Sequence, residues 1–489
     1  MRLAAVALSL SLGGGLAAQP VGLPDLGDPA SIELSQGLER RLGEAIMVNG
    51  RRDPAWISDP DLTVYLQGLA DVLTSHAPEG QARVDIFALR EPRINAFAMP
   101  GGFIGVHTGL ILAARSESEL AGVIAHEIAH VTQRHIARGI VQQKQDSLIA
   151  LGAMAAALLA ARAGGAGQLP EAVAIMGQAA AINSTLRFSR DAEREADRVG
   201  FLMLEGAGFD PAGMAGFFGR LLSVSRLNEG SGRSYASTHP MSIERMSDMQ
   251  NRLQQWQGKP RPDSADFHHA QALARYLQAG DGARELDEGL RFFVAQAEEA
   301  VTPSLRQAAA VGAARVLLAQ RRFDEAGQWL QRAAREAAVH PALDRVTVDL
   351  YRARGNLPAA LTMVRQARER WPRHQSLVRL EIEILLQMQK VMVAREAADA
   401  ALAIWPDEPE LWRLKAAAEA ARGSAVDERR AMSEHYALLG AWPSAVEQLM
   451  QARSLSTDFF EQSQLDARSR EFQLRLRDER ELLRRFEQR

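Results

Sequence analysis

Residues 126–130 read His-Glu-Ile-Ala-His. On a helix, positions i and i+4 share a face, so His126 and His130 can aim both imidazoles at one metal ion. Glu127, one residue on, points partly into the same space and can take a proton from a water activated by that ion. Zinc suits the arrangement, because it accepts two nitrogens and a carboxylate oxygen and keeps a fourth position open. The ten residues upstream, SESELAGVIA (116–125), predict the helix. Ser116 or Ser118 can cap its start, and Leu120, Val123, Ile124 and Ile128 give an apolar stripe at helical spacing.

A third ligand is needed. Residues 189–197 read SRDAEREAD, and Leu186, Phe188, Ala192, Ala196 and Val199 around them give an amphipathic helical pattern. Glu193 can complete a His-His-Glu site, with Glu195 as the competing candidate, read as outward-facing. Asp197, one turn beyond Glu193, can accept the free ring N–H of a ligating histidine and fix its tautomer.

Two further strings join these. Residues 95–102 read NAFAMPGG, just before Phe103–Leu112, and residues 237–240 read STHP. An HExxH string followed by SRxxExEADxxG, with these flanking elements in order across residues 82–250, resembles the gluzincin metallopeptidases of the CAAX prenyl endopeptidase type. The resemblance implies one Zn2+ per chain held by His126, His130 and Glu193, with Glu127 as the catalytic residue. It also places His239 near the metal, with two roles open: a donor to the developing oxyanion, or a side chain that swings onto the open zinc position and holds the site latent. Val84–Leu89 and Ile94–Ala98 are rich in apolar and β-branched residues, with a turn at Glu91-Pro92. A strand beside a metal site can bind an extended peptide by backbone pairing, which makes Asn95, Ala96, Phe97 and Ala98 the candidate substrate-binding residues.

The chain opens MRLAAVALSLSLGGGLAAQP. Arg2, the apolar run Leu3–Leu12 and small residues up to Ala18 predict a signal peptide over 1–18 and a periplasmic location. The chain contains no cysteine, which excludes disulfides, thiolate zinc ligands and an acylated cysteine. Leu148–Ala161 is uncharged but short for a membrane span, and Ala-Gly-Gly-Ala-Gly at 163–167 breaks it. Residues 141–182 therefore read as a helical hairpin between the two metal-binding helices. It serves packing, or acts as a lid or a peripheral membrane contact.

The second half repeats. Ala326, Ala360 and Ala394 stand 34 apart, as do Ala333, Ala367 and Ala401, and Trp371-Pro372 recurs as Trp405-Pro406. This period resembles the tetratricopeptide repeat, a helix–turn–helix unit with small residues where helices meet. Gly355 and Gly440 match its glycine, while Arg321 and Gln389 occupy comparable places. The register is expected to break after about residue 424, and 438–452 looks like a unit out of phase. Residues 267–300 read as helical without a repeat signature. The Arg-rich end, Arg468 to Arg489, interleaves with acids and reads as a solvated helix. Gln257–Ala265, QGKPRPDSA, is a Pro/Gly/polar stretch.

The fold class expected is mainly α: a helical zinc-metalloprotease domain with a small β-sheet, then an α-solenoid of tetratricopeptide-like repeats. The expected boundaries are a signal peptide at 1–18, the protease domain at 19–256, a linker at 257–266 and repeats at 267–489. Net charge is −3 with pI near 6.5, which gives no support for nucleic-acid binding. The combination resembles a periplasmic branch of bacterial proteases that serve outer-membrane protein quality control. That resemblance implies unfolded or misassembled outer-membrane proteins as substrates and the β-barrel assembly machinery as partner. The alternative is an assembly chaperone or scaffold whose zinc site is latent or structural.

Overall fold

The computed structural model describes residues 34–78, 82–142, 189–227, 235, 239–280 and 282–487. The signal-peptide segment, and the 141–182 hairpin from residue 143 on, lie outside the described residues.

A four-stranded sheet anchors the first half. Helix α1 (Gln36–Gly50) and strand β1 (Trp56–Ile57) precede α2 (Pro60–Thr74), and β2 (Asp85–Leu89), β3 (Ala96–Met99) and β4 (Phe103–His107) follow. The strand order is β1-β2-β4-β3, with β2 and β4 parallel and the other pairs antiparallel. The turn at Glu91-Pro92 therefore makes no hairpin, because β4 lies between β2 and β3. Asn95, expected in the strand, precedes it; its carbonyl accepts from the His107 N–H at 3.0 Å.

The next four helices are α3 (Thr108–Ala113), α4 (Glu117–Thr132), α5 (His135–Gln142) and α6 (Arg190–Gly206), and α7 (Pro211–Leu227) and α8 (Ile243–Gln255) complete the half. Ser116 is the residue that caps α4, its side chain accepting from the Glu119 N–H. Leu120, Val123, Ile124 and Ile128 are all fully buried in one core with residues of α2, α6 and α7. The helix buries all its faces, so it sits in the middle of the layer and not on its surface.

Residues 256–264 carry no helix or strand, but they are docked. The Glu117 carboxylate accepts from the Ser264 N–H and hydroxyl at 3.0 and 2.8 Å, and the Arg261 guanidinium lies 3.7 Å from the Phe209 ring centre.

Twelve further helices follow: α9 (Ala265–Ala279), α10 (Ala283–Glu299), α11 (Pro303–Ala319), α12 (Phe323–Glu336), α13 (Pro341–Ala353), α14 (Leu357–Arg370), α15 (Gln375–Gln387), α16 (Val391–Ile404), α17 (Pro409–Arg422), α18 (Ala425–Leu438), α19 (Trp442–Leu455) and α20 (Phe459–Glu487). Ala326, Ala360 and Ala394 are completely buried, as are Ala333 and Ala367, with Ala401 at 3%. Small residues at these positions let successive helices approach closely. The hairpin turns share one geometry. Residues 321, 355, 389, 423 and 440 all have positive φ, and each following residue's N–H bonds back to the carbonyl five residues before it. This is the Schellman ending, which normally takes glycine. Gly355, Gly423 and Gly440 satisfy it; Arg321 (φ 60°) and Gln389 (φ 56°) adopt it without being glycine. The 34-residue register thus runs through Gly423, and Gly440 comes half a period later.

The array closes back on the first half. Gln271 donates to the carbonyls of Ile111 and Ala114. Arg345 on α13 holds Asp59 and Asp61, at the start of α2, at 3.0 and 2.6 Å. At the far end, Arg51 donates to the Leu438 carbonyl at 2.9 Å, and Leu482 joins the core formed by α1 and the sheet. The Arg-rich α20 is thus solvated on one face only. Between α2 and the array lies a cavity of about 580 Å³, lined by Val64 and Val72 on one side and Arg315, His340 and His374 on the other.

Candidate metal centre

Helices α4 and α6 cross closely enough to share one ion. Gly200 makes that possible: a Cβ there would stand 3.3 Å from the backbone of Ala125 and His126. His126 and His130 from α4, Glu193 from the first turn of α6, and His239 from the segment before α8 converge, each offering one ligand atom within 4.8 Å of the others. His126 Nε2 lies 3.0 Å from His130 Nε2 and 3.3 Å from His239 Nδ1. Glu193 Oε1 lies 3.0 Å from His239 Nδ1 and 3.6 Å from His130 Nε2.

These separations fit a zinc ion. Zinc–nitrogen bonds of 2.0–2.1 Å in a tetrahedron put ligand atoms about 3.3 Å apart. Imidazole nitrogens that face each other in a dry pocket cannot satisfy one another as acceptors, whereas a cation satisfies all of them. His126, Glu127, His130 and His239 are fully buried, Glu193 is 1% exposed and Asp197 3%. Three carboxylates share the pocket with one buried guanidinium, Arg245, which pairs with Glu193 and Asp197, so a dication balances the charge. Burial by itself would lower the pKa of His126, but hydrogen bonds to Asp197 and Glu193 raise it to about 9, so the carboxylates around His126 favour positive charge there. Burial likewise opposes ionisation of Glu193, yet His239 and His126 hold its carboxyl well below the usual range.

Each sequence-predicted residue has a place. His126, His130, Glu193 and His239 meet. Asp197 Oδ1 sits 3.0 Å from His126 Nδ1, leaving Nε2 for the ion. Glu127 faces the same space: its Oε2 accepts from the Ala98 N–H at 3.0 Å, and its Oε1 accepts from the Tyr235 hydroxyl at 2.9 Å. Ala98 is on β3, at the end of the sheet's strand order, so β3 does border the site. Phe97 does not reach it. Strand alternation turns its ring to the opposite side, against Phe87 and His107 at 6.1 and 5.9 Å between centres.

Three residues at the centre escaped sequence reasoning. Tyr235 stacks on His239 (4.5 Å, 20°) and its carbonyl accepts the His239 N–H. Arg245, on the first turn of α8, grips Asp197 with two bonds of 2.7 and 2.8 Å and pairs with Glu193 at 2.7 Å. His135, at the start of α5, places its Nδ1 2.9 Å from His130 Nδ1. Glu195, read as outward-facing, bonds His135 Nε2 at 3.0 Å and is only partly exposed. The i, i+4 spacing of Tyr235 and His239 was a usable signal. His135 carried the opposite signal, since i+5 on an unbroken helix falls off the face of His130.

Comparison with known proteins agrees with this geometry. Residues 58–253 match peptidase family M48. The beta-barrel assembly-enhancing protease of Escherichia coli (strain K12) is 33% identical over 454 residues, covering 91% of this chain and 90% of that protein. The putative beta-barrel assembly-enhancing protease of Vibrio cholerae is 36% identical over 326 residues, covering 65% of this chain and 64% of its own length, just under two thirds. The mitochondrial metalloendopeptidase OMA1 of Schizosaccharomyces pombe is 30% identical over 209 residues, 42% of this chain and 57% of that protein.

Proposed function

We propose that this chain, which belongs to peptidase family M48 and is a zinc metalloprotease, is a periplasmic endopeptidase that degrades misassembled or stalled outer-membrane proteins and assists their assembly. The observation that carries the reading is the buried cluster of His126, His130, Glu193 and His239 with the Glu127 carboxylate beside it. Its relatives' names supply the link to β-barrel assembly. The apolar run Leu3–Leu12 supports export. No helix among the described residues is long and apolar enough to cross a membrane.

In this reading His126, His130 and Glu193 hold the ion, and Asp197 orients His126. When bound, zinc supplies Lewis acidity toward the scissile carbonyl and toward water. Glu127 takes the proton from the attacking water and hands it to the leaving amine. The outer edge of β3 pairs with the extended substrate backbone, which gives affinity with little sequence preference. The array, with its cavity against α2, receives the substrate or the assembly machinery. The domain limits that go with this are a protease over 19–256, a linker over 257–266 and tetratricopeptide-like repeats over 267–489.

His239 is the latch. With its Nδ1 at the fourth corner, the cluster has the closed ligand set of a structural site. Glu127 and the Ala98 N–H are also bonded to each other, so both the base and the substrate-pairing edge are engaged. That same closure favours the second reading, an assembly chaperone with a latent site, and the two coexist if opening is occasional.

The test is cleavage of an unfolded β-barrel precursor by the full chain, beside Glu127→Gln. Slow cleavage by wild type, with the variant about 10²- to 10⁴-fold slower and still holding one zinc, is expected. If both bind zinc and neither cleaves, the chaperone reading takes over.

A further inference from the structure

The bond between His130 and His135 has a direction, and the direction can be derived. His135 Nε2 lies 3.0 Å from Glu195 Oε2, and a carboxylate only accepts. The proton of a neutral His135 is therefore on Nε2, and its Nδ1 carries a lone pair. That lone pair faces His130 Nδ1 at 2.9 Å, so His130 bears its own proton on Nδ1. His130 Nε2 is then bare and points at the metal cluster, 3.0 Å from His126 Nε2. Any other proton placement puts a hydrogen on His130 Nε2 or sets two lone pairs, or two hydrogens, against each other across 2.9 Å.

The fold goes out of its way to build this contact. Helix α4 ends at Thr132, and Arg134 takes φ 52° before α5 begins at His135. An unbroken helix would carry residue 135 about 140° around the axis from residue 130. The left-handed residue brings it back instead. Arg134 is held by its own bond to the Leu34 carbonyl at 2.5 Å and an ion pair with Glu39. Arg138, one turn on, pairs with Glu195 at 3.0 Å and keeps that carboxylate facing His135.

We propose that His135 and Glu195 are positioning residues for the metal: a Glu195–His135–His130 relay that fixes the tautomer of His130 and increases the donor strength of its Nε2. The relay mirrors Arg245–Asp197–His126 on the other histidine. Glu193, Glu195 and Asp197 of one helix thus serve one ion, as ligand, as far end of one relay and as backing of the other. The inference rests on His130 being a ligand.

The experiment is zinc competition between the full-length chain and a chromophoric chelator. An outer-shell partner of a metal-bound histidine is worth 10- to 100-fold in metal affinity. His135→Leu is expected to bind zinc about 10- to 100-fold more weakly. His135→Asn keeps a polar acceptor near the Nδ1 position and is expected within about threefold of wild type. His135→Gln, whose amide reaches the Nε2 position instead, falls with the leucine variant. Glu195→Leu lies between. The thermal midpoint of each metal-free variant reports whether it is folded, and Asn against Gln separates the acceptor from mere packing. Leucine binding zinc like wild type, or asparagine falling with leucine, overturns the relay. His130→Ala separates the premise: it must lose tight zinc, and if it keeps it, His130 is no ligand and the fault lies there.

Discussion

The Tyr235 hydroxyl donates to Glu127 Oε1 at 2.9 Å while the Tyr235 ring stacks on His239, 4.5 Å between centres. Tyr235 and His239, four residues apart, therefore engage Glu127, the proposed general base, and one corner of the metal cluster. Burial and the neighbouring Glu127 carboxylate push the Tyr235 hydroxyl far above its ordinary pKa, so it stays a donor throughout the useful pH range. A hydrogen bond to a charged group is worth about 1.5–3 kcal/mol. Tyr235→Phe should free Glu127 and raise basal cleavage of an unfolded protein about tenfold. Steady-state cleavage rates check this, and a less active Tyr235→Phe would contradict the latch.

Asp197→Asn should weaken zinc without unfolding the chain. The carboxylate backs His126 Nδ1 at 3.0 Å, and its loss removes the charge that holds the tautomer. About 10- to 100-fold in zinc affinity is expected, read by chelator competition. Replacing Arg245 is a different matter. It strands two carboxylates, each no more than 3% exposed, and breaking a buried pair costs about 3–5 kcal/mol. Arg245→Leu should lower the thermal midpoint of the metal-free protein as well.

The clamp between Arg345 and the start of α2 should survive mild acid. Burial would raise the Asp61 pKa, but Arg345, Arg315 and His374 outweigh it and bring it down to about 2. A depressed carboxylate contributes stability that is fully present above its unfolded value near 4 and is lost as pH falls through about 2. Small-angle scattering profiles at pH 5 and pH 7 should therefore agree. Arg345→Ala removes the nearest cation from both Asp59 and Asp61, costs about 3 kcal/mol and should expand the particle at both pH values. Expansion of the wild type at pH 5 would show that something else holds the halves together.

Two hairpin turns of the array offer a pair of opposite effects. Gly355 has φ 76° with nothing within 4 Å of where a Cβ would sit, so Gly355→Ala meets only backbone strain of about 1 kcal/mol. Gln389 already bears that strain at φ 56°, and Gln389→Gly should relieve part of it. Thermal midpoints should move about 2–4 °C down and about 1–2 °C up respectively. Shifts of the same sign would show that side-chain packing, not φ, governs these turns.

What the sequence made legible was local or periodic. His126 and His130 follow from one helical turn, the array from a 34-residue spacing, and Glu193 and Glu195 were both visible as candidates on one helix. Where each of the last two ends up depends on which elements cross: Glu193 meets the histidines because α4 packs on α6 at Gly200, and Glu195 meets His135 because α5 returns to α4 through the left-handed Arg134. Arg245 lies in an ordinary-looking stretch, and Tyr235 carried only its spacing from His239; the tertiary fold brings each to a carboxylate. Arg321 and Gln389 were legible as glycine positions from the 34-residue spacing alone, although their residue types seldom adopt the positive φ they take.

The central claim is that His126, His130 and Glu193 hold zinc with His239 as an exchangeable fourth ligand. X-ray absorption at the zinc edge counts imidazoles directly. Three imidazoles and one carboxylate in the wild type, falling to two imidazoles in His239→Ala with zinc still at one per chain and cleavage faster, is the predicted result. Two imidazoles in both proteins would contradict it: His239 would then not be a ligand, and the closed site would need another explanation.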